Sequence, residues 1–579
     1  MRLPVLNVIK RTGETIAGFA GLDQRPKAAK NAFAEMKNMT CERLPVMAAR
    51  QPRVRVCTLR RPGGLFAHDK LCWVKDGGFY YDGKRIFDVE EGEKQFVRMG
   101  AYVLIWPDEK YYNTQTGEHG ALGASFTTYS DVDVEARLCK LSGELYEGYT
   151  VGNTAPEKPT NGQLWMDTSV SPNVLRFYST TASMWQSVPT VYTRISSPEI
   201  GKAFAKNDGI EISGMTLEAL NGSFYVVDRG DDYVIVVALI PQVHTQRERV
   251  TITRSIPKMD FVCENDNRIW GCSNEKHEIY GSVLGDAKNW NRFLGLDSDS
   301  YAATVGTAGD FTGVASHAGS VLFFKENVIH QLMGTAPRNF TLTDADGRGV
   351  AKGSEKSIAK ANEYLMYKGT NDVCMMGMST MQSNVSAKLG KEWYADAVAG
   401  AIGDRYFMCA RTKSGTYTLL VYDTKTGEWC SEDSVQVTQF AQLDNELYML
   451  SIKGEIWSVG GSAPEHLRDE TYEEEEPVAW ELITGPMGLD EAYNKYISGI
   501  QMHVGCTRGT TVKVDVQYDN DPNWVRAMKL EPLETRSMTL SYTPRRCRTM
   551  KLRIYGVGPF ELYSISTTME QGSDVYRMR

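Results

Sequence analysis

Four short segments in the middle of the chain share one pattern of polar and apolar positions. They are Ser320-Val-Leu-Phe-Phe-Lys-Glu-Asn-Val-Ile, Glu363-Tyr-Leu-Met-Tyr-Lys-Gly-Thr-Asn-Asp-Val, Asp404-Arg-Tyr-Phe-Met-Cys-Ala-Arg and Asn445-Glu-Leu-Tyr-Met-Leu-Ser-Ile-Lys-Gly-Glu-Ile. Each opens on a small polar stretch, runs into an apolar aromatic strand, turns, and enters a second strand. Their starts lie 43, 41 and 41 residues apart. A four-stranded antiparallel blade takes about 40 to 50 residues, so this rhythm predicts a β-propeller. Lys70-Leu-Cys-Trp-Val-Lys-Asp-Gly-Gly-Phe-Tyr-Tyr and Tyr102-Val-Leu-Ile-Trp-Pro-Asp-Glu-Lys-Tyr-Tyr follow the same scheme 32 residues apart, and Arg268-Ile-Trp-Gly-Cys adds a seventh anchor. Asp76-Gly77 suits a tight hairpin, because both residues tolerate positive φ. The expectation is an all-β chain built on a propeller of roughly six to eight blades.

Between Tyr102 and Arg268 the rhythm stops, over a gap too long for a loop inside a compact domain. The expected organisation is therefore interrupted. Residues 1–50 read as an N-terminal arm or strap over the first blade, with a weak helical stretch around Ala28 to Asn38. Residues 51–120 hold the first blades. An insertion follows over 121–255, in two small β pieces: a module within 150–195, then a small barrel or sandwich from about 196. Residues 256–465 hold the remaining blades. Glu473-Glu-Glu-Glu476, between Pro464 and Pro477, reads as a solvated acidic linker over 466–478. Residues 479–579 alternate with period 2 and predict a C-terminal sandwich of jelly-roll type.

The length of 579 residues is too great for one core and agrees with several units. A net charge of −8 argues against a protein that coats duplex nucleic acid, which needs a basic footprint. It leaves room for an acidic channel through which DNA slides without sticking. Eleven cysteines are scattered singly, without a CxxC pair, and read as buried reduced thiols of a protein assembled in a reducing cytoplasm. The first eleven residues lack the apolar core of a signal peptide. The longest apolar run, Tyr233-Val-Ile-Val-Val-Ala-Leu-Ile, is far short of the ~20 residues a membrane helix needs, so no membrane insertion is expected.

Candidate chemistry is sparse. There is no GxSxG, HExxH or GxxxxGK[ST], and the eight histidines are dispersed. Asp344-Ala-Asp-Gly-Arg-Gly with Glu355 has the outline of a calcium loop, but Arg348 stands at a ligand place, so an inter-blade turn is expected and no metal. Tyr422-Asp-Thr-Lys-Thr-Gly-Glu-Trp429 is similar to the Asp-box turns of propeller glycosidases, which are themselves structural. Retaining hydrolysis needs two facing carboxylates, or a tyrosine with its activating acid, and the sequence does not place them. No enzyme activity and no cofactor are expected. Trp165, Tyr178 and Trp185 are a candidate glycan contact, since such rings stack on sugar faces; the alternative is the core of a tiny domain. Basic clusters at Arg50, Arg53, Arg55, Arg60 and Arg61, and at Arg545, Arg546 and Arg548, read as solvated surface, or as contacts to an acidic neighbour or DNA phosphate.

One stretch carries a resemblance. Asp260-Phe-Val-Cys-Glu-Asn-Asp-Asn-Arg-Ile-Trp-Gly-Cys, Asn289-Trp-Asn-Arg-Phe, Gly309-Asp-Phe-Thr-Gly and Phe323-Phe-Lys-Glu-Asn-Val-Ile-His resemble structural proteins of phages of Firmicutes-like hosts. Gln517-Tyr-Asp-Asn, Pro544-Arg-Arg-Cys and Gly572-Ser-Asp resemble the end of the same proteins. In architecture that group is similar to the packaged-DNA stabilisation proteins and tail nozzles of short-tailed phages. The resemblance implies a virion protein of the tail or head–tail junction, assembled in the host cytoplasm. It would form a homo-oligomeric ring, a hexamer, that retains packaged DNA and conducts it on ejection. Its partners would be portal and adaptor proteins, tail fibres or a needle, and transiently double-stranded DNA. The alternatives are a receptor-binding or fibre-like tail protein that holds cell-wall glycan, and a propeller glycosidase.

Overall fold

The computed structural model describes residues 11–379, 381–490, 493–519, 521–530 and 536–571. Seven antiparallel sheets repeat one plan from an inner to an outer strand. Blade 1 spans residues 62–88, blade 2 95–121, blade 3 261–304, blade 4 311–346, blade 5 359–384 and blade 6 394–431. Blade 7 takes three strands from residues 437–458 and its next strand, Val54–Thr58, from the opposite end of the chain. Thr58 stands opposite Glu455 and Val54 opposite Ser458, and this pairing closes the circle.

All seven predicted anchors are the second strands of these blades. A second strand is covered on both faces by neighbouring blades, so it reads as a continuous apolar run. Every residue of Ser320–Lys325 is buried. Val321 and Phe323 meet Trp270 and Ile279 of blade 3; Leu322 and Phe324 meet Leu365 and Tyr367 of blade 5. The same division runs round the wheel. Leu104 and Trp106 of blade 2 pack with Ile269 of blade 3, so the core continues past the insertion. Tyr448 and Leu450 of blade 7 pack with Leu71 and Trp73 of blade 1. Asp76 and Gly77 take φ of 48° and 67°, as a two-residue hairpin with the strand twist requires.

Residues 11–49 do not strap blade 1; they are strands of the sandwich (residues 1–10 lie outside the described residues). Arg11–Ala17 and Met47–Ala49 pair with the last strand, Phe560–Gln571. Phe33–Lys37 pairs with Ala479–Thr484. The expected helix around Ala28 to Asn38 is a turn followed by that strand, because pairing that buries Phe33 and Met36 outweighs the helix propensity of the alanines. Sheets of seven and five strands form the sandwich, with Trp480 stacked on Phe560 at 3.9 Å between ring centroids. Residues 572–579 lie outside the described residues. The sandwich shares one core with blades 5 and 6, where Leu22 and Phe33 join Met366, Tyr406 and Trp429.

Cys41 and Cys430, 389 residues apart, form a disulfide with Cα atoms 5.8 Å apart, against the expectation of single reduced thiols. Their separation hides the pair in the sequence; the fold lays the Met39–Thr40 strand against Glu428–Ser431 of blade 6.

The two inserted pieces are nested rather than serial. One sheet holds Ala124–Thr127, Thr251–Arg254, Gly209–Ser213 and Gly222–Tyr225. A second holds Val134–Cys139, Tyr192–Ser196 and Tyr233–Val237 at its centre. The small module, a sheet over residues 150–187, interrupts this second sheet between two of its paired strands. No helix among the described residues is long and apolar enough to cross a membrane.

Candidate functional site

The module brings the three predicted aromatic residues together. Strands Leu164–Asp167, Val174–Ser179 and Met184–Ser187 pair so that Trp165 faces Arg176 and Tyr178 faces Trp185. Met166 and Leu175 turn the other way, into the core of the inserted arm. Trp185 meets both Trp165 and Tyr178 edge-on, each at 5.4 Å between centroids. Trp165 is only 7% exposed and its indole donates to the Gly152 carbonyl at 3.0 Å, whereas Tyr178 and Trp185 are half-buried. Arg176 lies on the same face and donates to Asp167 at 2.8 Å. The Ser169 hydroxyl, opposed by burial and joined by Arg176, holds the Asp167 carboxyl below its ordinary range. The face therefore offers two partly open rings beside an oriented guanidinium. That set can stack on a flat sugar ring and donate to its hydroxyls.

The arm is bonded rigidly to the wheel. Arg254, on the strand that leaves the arm, pairs with Asp208, and both are buried. Its guanidinium also donates to the Leu122 carbonyl at 3.1 and 3.2 Å. Asn289, in the long loop of blade 3, donates to Asp208 at 3.1 Å and accepts the Gly209 N–H at 2.7 Å. The Asn289-Trp-Asn-Arg-Phe motif thus carries a joint: Asn289 bridges to the arm while Trp290 is buried beneath it.

The propeller axis is barred at one mouth. Lys356, at the start of blade 5, pairs with Glu93, between blades 1 and 2 on the far side of the axis. The same ammonium donates to the Thr438 carbonyl of blade 7 at 3.3 Å, and desolvation pulls it down to about 8. Gln439 of blade 7 accepts the Leu65 N–H at 2.5 Å and donates to the Lys94 carbonyl at 2.9 Å.

Two readings of charge are corrected. Arg50, Arg53 and Arg55 are not a solvated patch, whereas Arg60 and Arg61 of the same cluster stay exposed, and the acidic run is not a free joint. Glu473–Glu474 pairs along Val54–Thr58 as a fifth strand of blade 7. Glu475 accepts both arms of the buried Arg50 guanidinium, at 2.7 and 2.8 Å, and the Arg53 N–H at 2.9 Å. Arg53 pairs with Glu432 and, at 2.6 Å, with Asp433; Arg55 pairs with Glu473. Burial pushes the Glu475 carboxyl up, but the Arg50 and Arg53 hydrogen bonds and charges outweigh it and hold the group below its ordinary value. Opposite charge on two short runs was the available signal for this clasp.

The Asp-box-like segment is the turn between the third and fourth strands of blade 6. Asp423 accepts the Lys425 and Thr426 N–H groups at 2.8 and 3.2 Å. Asn113-Thr-Gln-Thr-Gly-Glu118 builds the same turn in blade 2. Asp344 and Asp346 lie in the outer strand of blade 4, opposite His330 and Val328. No group of three metal-ligating side chains comes together among the described residues.

No family model and no curated protein matches the chain. Solved structures similar to it include an exo-β-1,3-galactanase from Phanerochaete chrysosporium, at 11% identity over 53% of this chain and 94% of the galactanase, with a TM-score of 0.21. The WD40 repeats of RRP9 are similar at 8% identity over 73% of this chain and 99% of theirs, TM-score 0.28. Hsv2 from Kluyveromyces lactis is similar at 11% identity over 59% and 95%, TM-score 0.27. Scores of this size carry no argument. From its own strand pairing, the chain is a β-propeller protein with an inserted β arm and a two-sheet sandwich.

Proposed function

We propose that the chain is a non-enzymatic structural subunit of a phage tail or head–tail junction. It is repeated in a homo-oligomeric ring, a hexamer, that retains packaged DNA, conducts it on ejection and anchors other tail parts. The observation that carries this reading is the placing of two fixed platforms on one closed wheel. The sandwich, made from both ends of the chain, is locked to blades 5 and 6, and the arm is locked to blade 3. A part of this kind transmits position between neighbours. On this reading the DNA conduit is the space enclosed by the ring rather than the propeller axis. The resemblance over residues 260–335 supports the same reading. Quantitative mass spectrometry of purified virions tests it: six copies, or a multiple, per portal ring are expected. Absence from the particle contradicts it.

The aromatic face favours a second reading, contact with cell-wall glycan. Trp185→Ala is expected to weaken binding of host cell-wall polysaccharide at least tenfold while leaving assembly unchanged. Equal binding by the variant and the parent excludes that face.

A further inference from the structure

In the second sheet of the arm, alternate side chains of Val134–Cys139 turn into the buried core, Val134, Ala136 and Leu138 among them. Arg137 therefore points to the opposite face. The strand register sets it directly across from Arg194 of Tyr192–Ser196. Opposed residues of an antiparallel pair have Cβ atoms about 4.5–5.5 Å apart, and like charges placed so repel. No carboxylate hydrogen-bonds either guanidinium among the described residues. Glu135 comes no closer to Arg137 than 3.9 Å, beyond hydrogen-bond distance. Arg194 donates to the Ser196 hydroxyl at 3.2 Å and lies over the Tyr233 ring at 4.0 Å. Those contacts orient its charge without neutralising it.

Two donors here also lack acceptors. The Arg137 Nε–H and the Tyr149 hydroxyl are both shielded from solvent, and neither makes a hydrogen bond among the described residues. Buried donors ordinarily find an acceptor, and one that does not calls for an explanation. Burial raises Tyr149 above its ordinary value, so its hydroxyl keeps the proton and can donate. The Arg137 charge opposes that shift, which puts the two groups within electrostatic reach of each other. The Arg137 side chain is still 32% exposed, so a ligand can approach it. The chemistry that answers this set is an oxyanion, which guanidinium forks bind bidentately. Two forks and a hydroxyl offer more donors than the roughly four acceptor positions of a carboxylate can take. A phosphate, with its larger set of oxygens, matches them better.

We propose that Arg137, Arg194 and Tyr149 form a binding site for a phosphate group, the two guanidiniums taking its oxygens and the hydroxyl donating to it. Binding turns the mutual repulsion of the arginines into attraction for one anion. The site stands apart from the ring reading. Calorimetric titration of the full chain at fixed ionic strength tests it, with glycerol phosphate as the small probe and poly(glycerol phosphate) as the polymer. The parent is expected to bind at least one of them with a dissociation constant of about 1 mM or below. A parent that binds neither overturns the proposal. Arg137→Gln is expected to weaken binding about tenfold or more, and Tyr149→Phe about threefold or more. In chloride buffer the thermal midpoint of Arg137→Gln is expected at or above the parent's, because one of two repelling charges is gone. That result also shows that the variant folds. A variant that binds like the parent overturns the site, as does a midpoint well below the parent's, which makes Arg137 a structural ion-pair residue. Acetate bound as tightly as glycerol phosphate overturns the choice of phosphate. Tighter binding of glycerol phosphate assigns a small phosphate ester. Tighter binding of the polymer, per phosphate, assigns a phosphate-bearing chain.

Discussion

Arg53 is a buried cation whose counter-charges come from residues about 380 positions away. Arg53→Ala leaves Glu432, itself 5% exposed, without its partner, and is expected to cost about 3–5 kcal/mol. A lowered urea midpoint checks this; a midpoint equal to the parent's contradicts it. Glu475 adds a pH dependence. Its carboxyl is held below the ordinary 4.5 in the fold, so its stabilisation is complete above that value and is lost as pH falls through the lower folded one. The thermal midpoint is therefore expected to drop as pH falls below 4.5, and Glu475→Gln to flatten that limb. An acid limb unchanged by the substitution removes Glu475 from the account. None of this was legible as a pairing. A local window sees a basic run and an acidic run, each of which is ordinarily solvated, and only strand pairing across the closed wheel brings them together. The aromatic trio was legible as a group, because three rings within some twenty residues of a small sheet have few ways to avoid one another.

At the scale of elements, the second strands were readable because both their faces are covered and their apolar runs repeat at one spacing. Arg11–Ala17 had no such mark. Its exposure alternates between open and half-buried, and its partner strand lies some 550 residues away. The seam that closes the propeller likewise joins distant segments. Val56, fully buried there, makes a direct test: Val56→Asp places an unpaired carboxylate in the blade 7–blade 1 core. A loss of about 3 kcal/mol or more is expected, with faster proteolysis between residues 459 and 472. Unchanged proteolysis contradicts a seam at this strand. The inserted arm is predicted to be dispensable for folding. Its first and last strands pair directly, with Thr127 opposite Thr251, so replacing residues 129–249 with a short turn leaves a hairpin between blades 2 and 3. A soluble, cooperatively unfolding product is expected; an insoluble one shows that the arm holds the two blades together. Peptide mapping under non-reducing conditions is expected to recover the linked pair Cys41 with Cys430; its absence contradicts this contact between the Met39–Thr40 strand and blade 6.

For the whole molecule, the account rests on a rigid wheel whose own axis is barred and whose two platforms face different ways. Rigidity comes from the seven inter-blade cores, the seam and the arginine clasp. On the proposed reading, function then falls to what meets the sandwich and the arm. The most direct test is electron microscopy of the purified full-length chain at assembly concentration. Class averages are expected to show closed rings of repeated wheels around an open centre wide enough for a DNA duplex. Isolated wheels alone, or rings whose only opening is the propeller axis, would contradict the account.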